Sequence, residues 1–162
     1  MKNIKFSKID LLGSSFLRVF AIQSARQFAY YIAATLIGFI IFQEILIIFK
    51  LPIASPLILA FAFSGSSVIL RMTLPAKFII FFKSEQEYLE VRNFLERILK
   101  SQSYRKISQS NIESIFQTKL PPILRWSENE IFLTISNENI IVKGPIFMVR
   151  ILHKNLSRKF NN

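Results

Sequence analysis

Two apolar stretches near the N-terminus, Phe28–Phe49 and Leu57–Leu74, constrain this chain more than any other feature. The first carries one charge in twenty-two residues, and as a helix it would reach about 33 Å, against a bilayer core of about 30 Å. The second has eighteen residues and one arginine near its end, the lower edge of what spans without local thinning or snorkelling. The pattern predicts a transmembrane helical hairpin over 28–75. Before it comes a basic N-terminal arm with an interfacial amphipathic helix (1–27), and after it one small extramembrane α+β domain (76–162).

The connector KLPIASP fits a tight turn: Pro52 breaks the first helix, Ser55 can cap the second, and Pro56 suits a first helical position, where a missing N–H costs nothing. Ala34 and Gly38 on the first helix, and Ala60, Ser64 and Ser67 on the second, are the expected close-packing positions. In the arm, Phe16, Leu17, Phe20 and Ala21 can share one helical face, with Arg18 and Arg26 near the polar side.

The chain has 21 Lys and Arg against 10 Asp and Glu, a net charge of +11. In a soluble protein that balance would raise nucleic acid as a partner. Here topology explains much of it: Lys2, Lys5, Lys8, Arg18 and Arg26 precede the first span, the connector offers only Lys50, and Arg71, Lys77 and Lys83 follow the second. Both termini are therefore expected on the cytoplasmic side, or the stromal side in an organelle, of a bacterial inner membrane or thylakoid-type membrane. A cleaved secretory signal is not expected, since the apolar run starts late, is long, and no small-residue cleavage site follows. Absence of cysteine excludes disulfides, thiolate metal sites and a thiol nucleophile.

Polar residues in the hairpin are few. Glu44 lies six residues before Lys50 and reads as interfacial, or as a polar contact to a partner membrane subunit, because an intramembrane carboxylate is costly. Arg71 lies toward the other end of the hairpin from Glu44 and is expected to snorkel to headgroups.

Beyond Pro75, KFIIFFK reads as a strand. Ser84 and Glu87 have capping-box spacing before a helix whose apolar stripe is Val91, Phe94, Leu95, Ile98 and Leu99. Tyr104–Ser108 and Glu113–Lys119 are further strand candidates. A β-hairpin follows, with Ile131, Leu133 and Ile135 on one face, a turn at Asn137–Asn139 and a return strand ending at Gly144. Pro145 is expected to open a last amphipathic helix with Ile146, Val149, Leu152, Leu156 and Phe160 on one stripe and Arg150, Lys154 and Arg158 on another. The order predicts α+β architecture, helices packed on one face of a mainly antiparallel sheet. This layout of a two-helix hairpin followed by a small α+β domain resembles that of membrane-complex assembly factors, the photosystem I assembly protein of plastids and cyanobacteria among them. The resemblance covers layout and transfers no residues.

Catalytic chemistry has little to stand on. His153 is the single histidine and lacks the companions zinc needs. Ser64–Ser67 sit in an apolar helix without a nucleophile-elbow setting, and four scattered glycines give no phosphate loop. The pairs Glu85/Glu87 and Glu128/Glu130 read as a helix N-terminus and a turn. Arg125 and Trp126 are the one adjacent basic and aromatic pair suited to an interface. Together with Glu44, Arg71, Arg150, Lys154 and Arg158 they are the candidate interaction residues; no catalytic, cofactor or metal residue is assigned and no cofactor is implied. The expected function is an accessory or assembly factor acting by binding, with a lipid bilayer and another membrane protein or complex as partners. No small-molecule substrate is inferred and nucleic acid is not expected. The alternative is a membrane-tethered binder of anionic lipid or nucleic acid, motivated by thirteen basic against eight acidic residues over 83–162 and by the basic last helix.

Overall fold

The computed structural model describes residues 4–12, 25–50, 55–110, 112–120, 129–136 and 138–160. The chain divides into two units, residues 14–73 and the combination of 1–13 with 74–162.

The first unit holds helices α1 (Ala25–Ile48) and α2 (Ser55–Met72); strands β1 (Lys5–Phe6) and β2 (Asp10–Leu11), which precede them in the chain, belong to the second. The two helices pack antiparallel, and the contacts step up one as they step down the other. The Gln27 side-chain amide donates to Thr73 Oγ1 at 2.8 Å, the Tyr31 hydroxyl lies 3.1 Å from Ser67 Oγ, and a Cβ at Gly38 would meet Ala62 Cβ at 3.5 Å. Gly38 thus brings the helices close, as small residues do. Of the other expected packing positions Ser67 is at the contact, whereas Ala34, Ala60 and Ser64 are exposed and Ala62 takes their place. Over Gln27–Ile48, α1 is long and apolar enough to cross a membrane, by length and composition, and almost none of that stretch is buried. Among the described residues it alone passes that test. Such an N-terminal helix is of the kind that serves as a membrane span or as a signal sequence.

The second unit is a mixed helix and antiparallel-sheet domain, α+β as the periodicities predict. Its remaining strands are β3 (Pro75–Phe81), β4 (Tyr104–Gln109), β5 (Glu113–Thr118), β6 (Ile131–Ile135) and β7 (Asn139–Pro145), with helices α3 (Glu85–Ser101) and α4 (Ile146–Phe160). The strand order is β1-β3-β7-β6-β5-β4, and β2 also pairs with β3. Every pairing is antiparallel.

Side chains alternate across the pleat, so one sheet face is built from Ala76, Phe78 and Ile80, then Ile140 and Val142, then Ile131 and Leu133, then Phe116, all buried. Against it lie Val91, Leu95 and Leu99 of α3 and Val149, Leu152 and Leu156 of α4, each fully buried. Met148 is buried as well, although it lies outside the expected stripe. Phe94 meets Phe160 edge to face at 5.9 Å, and Lys159 reaches over the Phe94 ring at 4.3 Å and to Glu90 at 3.6 Å, linking the two helices.

Helix boundaries follow from local chemistry. Ser84 Oγ accepts from Glu87 N at 3.2 Å, and the Glu87 carboxylate accepts from Lys83 N at 2.9 Å, a capping box closed one residue earlier than usual. At the other end Ser103 adopts φ 60 and donates its N–H to Lys100 O at 3.1 Å, which turns the chain from α3 into β4. Pro145 does not open α4. It closes β7 opposite Pro75, because two residues without N–H fit only where the ladder ends, and Ile146 N donates instead to Leu74 O at 2.8 Å.

The arm departs most from expectation. Residues 4–12 belong to the α+β unit rather than to a separate N-terminal segment: Lys5 and Phe6 pair with Phe81 and Ile80, and Asp10 and Leu11 with Lys77 and Ala76. Ile4 enters the core. The interfacial helix expected around Phe16–Ala21 lies outside the described residues.

Lys106 of β4 reaches Glu96 of α3 at 2.6 Å, with Arg92 at 3.5 Å. Burial pushes the Glu96 carboxyl upward, but the hydrogen bond and charge of Lys106, aided by Arg92, outweigh it and hold the group below its ordinary 4.5. A depressed folded-state pKa contributes stability above the unfolded value and loses it as pH falls through the folded one. Denaturant unfolding of the full chain in detergent from about pH 6 down to about pH 3 is therefore expected to show an acid-side loss that Lys106→Met reduces. An unchanged acid limb in that variant would count against the pair.

Candidate functional site

The candidate interaction residues do not converge on one site. Glu44 is exposed on α1 and Arg71 exposed on α2. Because Gln27 bonds Thr73, Arg71 sits beside the start of α1, and seventeen residues separate Gln27 from Glu44, about 25 Å along a helix. Glu44 and Arg71 are accordingly at opposite ends of the pair. Arg125 and Trp126 lie outside the described residues. Arg150, Lys154 and Arg158 do share one exposed stripe of α4, opposite the side that buries Leu152 and Leu156.

His153 is a fastener. Its Nε2 lies 3.1 Å from the Ser7 carbonyl oxygen, which can only accept, so that nitrogen carries the proton. The ring packs edge to face on Phe78 at 5.2 Å and Phe6 at 6.0 Å. Together with Ser7 Oγ accepting from Ile79 N at 2.9 Å, it holds the arm on the sheet edge.

Among the described residues of the α+β unit are three open clefts. One of about 860 Å³ is lined by Phe82, Ser84, Tyr88, Ile112, Ile135 and Glu138, among others, at the sheet end where β3 finishes. A second, about 430 Å³, lies between the arm and His153 with Ser157. The third, about 360 Å³, opens between the end of α3 and the start of α4 and is lined by Tyr104, Thr118, Lys119, Leu120, Phe147 and Met148, with Gln102 and Ser103. Ser157 and His153 line the second cleft together, but the hydrogen bond of His153 goes to the Ser7 carbonyl and not to Ser157, and no group of three His, Cys, Asp or Glu residues able to hold a metal occurs among the described residues.

Tyr104 Oη, Thr118 Oγ1 and Ser114 Oγ are buried without a hydrogen-bond partner. Tyr104 and Thr118 stand opposite each other in the β4–β5 register. Burial pushes the Tyr104 hydroxyl up to about 12. An orphaned buried hydroxyl costs about 1–3 kcal/mol, so Tyr104→Phe is expected to stabilise the domain by about 1 kcal/mol, read as a raised melting temperature of the purified chain; a loss of stability would mean that the hydroxyl has a partner.

Sequence reasoning missed the polar seam between the helices. Gln27, Tyr31 and Thr35 are buried at spacing four, and Thr73 is buried with Gln27. Thr35 Oγ1 donates back to the Tyr31 carbonyl at 2.9 Å. The outward positions of α1 are Ile32, Leu36, Ile37, Ile40, Ile41 and Ile45, all 42–58 % exposed. The signal was present as the i, i+4, i+8 recurrence of Gln, Tyr and Thr in an apolar run. No protein-family model matches the chain, and no curated protein or solved structure is significantly similar to it.

Proposed function

We propose that this chain is a membrane-anchored accessory or assembly factor that acts by binding, with α1 and α2 crossing the bilayer as a hairpin and the α+β domain offered to another membrane protein on one side. The observation that carries the anchoring is the helix pair's exposed surface: Gln27, Tyr31, Thr35 and Thr73 are buried with Ile58 and Ala62, while most of the large aliphatic side chains of α1 face outward. Water would favour the reverse arrangement, and lipid favours this one.

Connectivity supports two crossings over one. Residues 4–12 and 74–160 build a single sheet domain, so the chain must leave that domain and return to the same side, which requires an even number of crossings. If α1 spans, α2 spans as well, despite its shorter apolar length. The same point weighs against a signal sequence, since cleavage after α1 would remove β1 and β2. It also supports both ends of the chain lying on one side, in keeping with the basic residues flanking the helices.

The binding role rests on the exposed stripe of Arg150, Lys154 and Arg158. Solubilising the membrane in a mild detergent, then running a native gel with mass spectrometry of the co-migrating bands, tests it. Migration within a larger membrane assembly is expected. Recovery solely as a small isolated species would overturn the binding role, and release by alkaline carbonate would overturn the anchoring.

A further inference from the structure

We propose that the end of the α+β domain bearing Leu120 and Phe147 is a lipid-contact surface that docks on an anionic bilayer; this rests on the anchored reading above. The sheet register places that end. Phe116 pairs with Ile131 in one row, Ala76 pairs with Gly144, and a Cβ on Gly144 would meet Ile131 at 3.0 Å, so these four stand at one level. Two residues further out come Thr118, Ile146 and Leu74, with Ile146 N bonded to Leu74 O and Leu12 N to Pro75 O at 2.8 Å each. Both places where the chain leaves this domain, after Leu12 and before Leu74, are therefore at the same end of the sheet.

Only Thr73 and Leu74 separate the end of α2 from β3, and two residues reach about 7 Å at full extension. With α2 in lipid, such a tether keeps this end of the domain at the headgroup layer. The surface presented there is of the kind that suits it. Phe147 is 37 % and Leu120 41 % exposed, on either side of the 360 Å³ cleft, and Lys119, Lys143 and, one turn into α4, Arg150 are exposed cations. Two acids are nearby, Asp10, opposite Lys77 in the register, and Glu130, which accepts from Gln117 Nε2 at 3.1 Å, and the cations outnumber them. An exposed aromatic and an aliphatic side chain among cations are what an interfacial surface uses against anionic lipid.

The chain has no cysteine, so single-cysteine labelling of the full-length protein is clean. A bimane label is placed in turn at Phe147→Cys, Leu120→Cys, Ile112→Cys and Ile37→Cys, in vesicles of phosphatidylcholine and phosphatidylglycerol carrying doxyl-lipid quenchers. Ile112 is the control, being 66 % exposed and apolar but level with the other end of the sheet. Labels at Phe147 and Leu120 are expected to lose most of their emission to a shallow quencher, while the Ile112 label keeps its own. If Phe147 and Leu120 are quenched no more than Ile112 while Ile37 is quenched by a deep quencher, the docking proposal is overturned and anchoring stands. Shielding of both labels from lipid and from aqueous iodide would assign the surface to a protein instead, and would also overturn it. An unquenched Ile37 label overturns anchoring and the proposal together.

Discussion

Replacing Leu152 with alanine is expected to destabilise the α+β domain by about 2–5 kcal/mol, a large part of the about 5–15 kcal/mol that holds a domain of this size together. Leu152 is fully buried on α4, between Val149 and Leu156 of its own helix and against the sheet. Truncation removes the transfer free energy of the lost carbons and leaves a cavity that a close-packed sheet face cannot fill by relaxing. Lys154, two residues on, is the matching control because it is exposed on the opposite side of the same helix; Lys154→Ala is expected to stay within about 0.5 kcal/mol. Hydrogen exchange of peptides from β3, β7 and α4, measured on the full chain in detergent, reads both. Equal protection in the two variants would mean that α4 is not the core helix described above.

The contrast between those two positions was readable in advance. In α4 the spacing of Val149, Leu152, Leu156 and Phe160 marks the buried stripe, and Arg150, Lys154 and Arg158 the wet one, because a helix on a sheet has two solvents and the sequence records which residue meets which. The same holds for α3 and for the alternation in β6, whereas β3 and β7 read as strands from continuous apolar runs that do not mark which face is buried. What could not be read is what local pattern does not encode. Lys5–Phe6 and Asp10–Leu11 are too short to carry a period of two, and their partner residues in β3 lie 65 to 76 positions away, across the whole helix pair. A charge-rich arm next to an apolar run therefore reads as a topology signal, although Ile4, Phe6, Ile9 and Leu11 pack against the core. Pro145 misled for a related reason. Its lack of an N–H suits a helix start and a strand end equally, and only the pairing with Pro75 decides between them. The clefts were illegible altogether, since each is lined by residues distant in sequence whose types carry no motif.

Placing arginine at Ile37 is expected to abolish stable membrane integration of α1. Ile37 lies at the middle of the Gln27–Ile48 stretch and is 57 % exposed, on the face turned away from Gly38 and Ala62. A charged side chain at the centre of a spanning helix costs about 2.5–3.5 kcal/mol on insertion scales, and α2 cannot offset this by pairing, since its one ionisable residue, Arg71, is also a cation. Alkaline carbonate extraction should move the variant from the pellet to the supernatant, where the parent chain stays in the pellet. The sign of the effect is what discriminates. If α1 and α2 faced water, exchanging an exposed isoleucine for arginine would be neutral or would improve solubility, because it removes apolar surface from the solvent and breaks no packing. Thr35→Val sharpens the comparison. Thr35 is buried and already bonds its own helix backbone, so its loss costs only about 0.5–1.5 kcal/mol and should leave the chain in the pellet. A large effect at an exposed position beside a small effect at a buried one inverts the order found in water-soluble cores, and that inversion follows from helices whose outer face is turned to lipid.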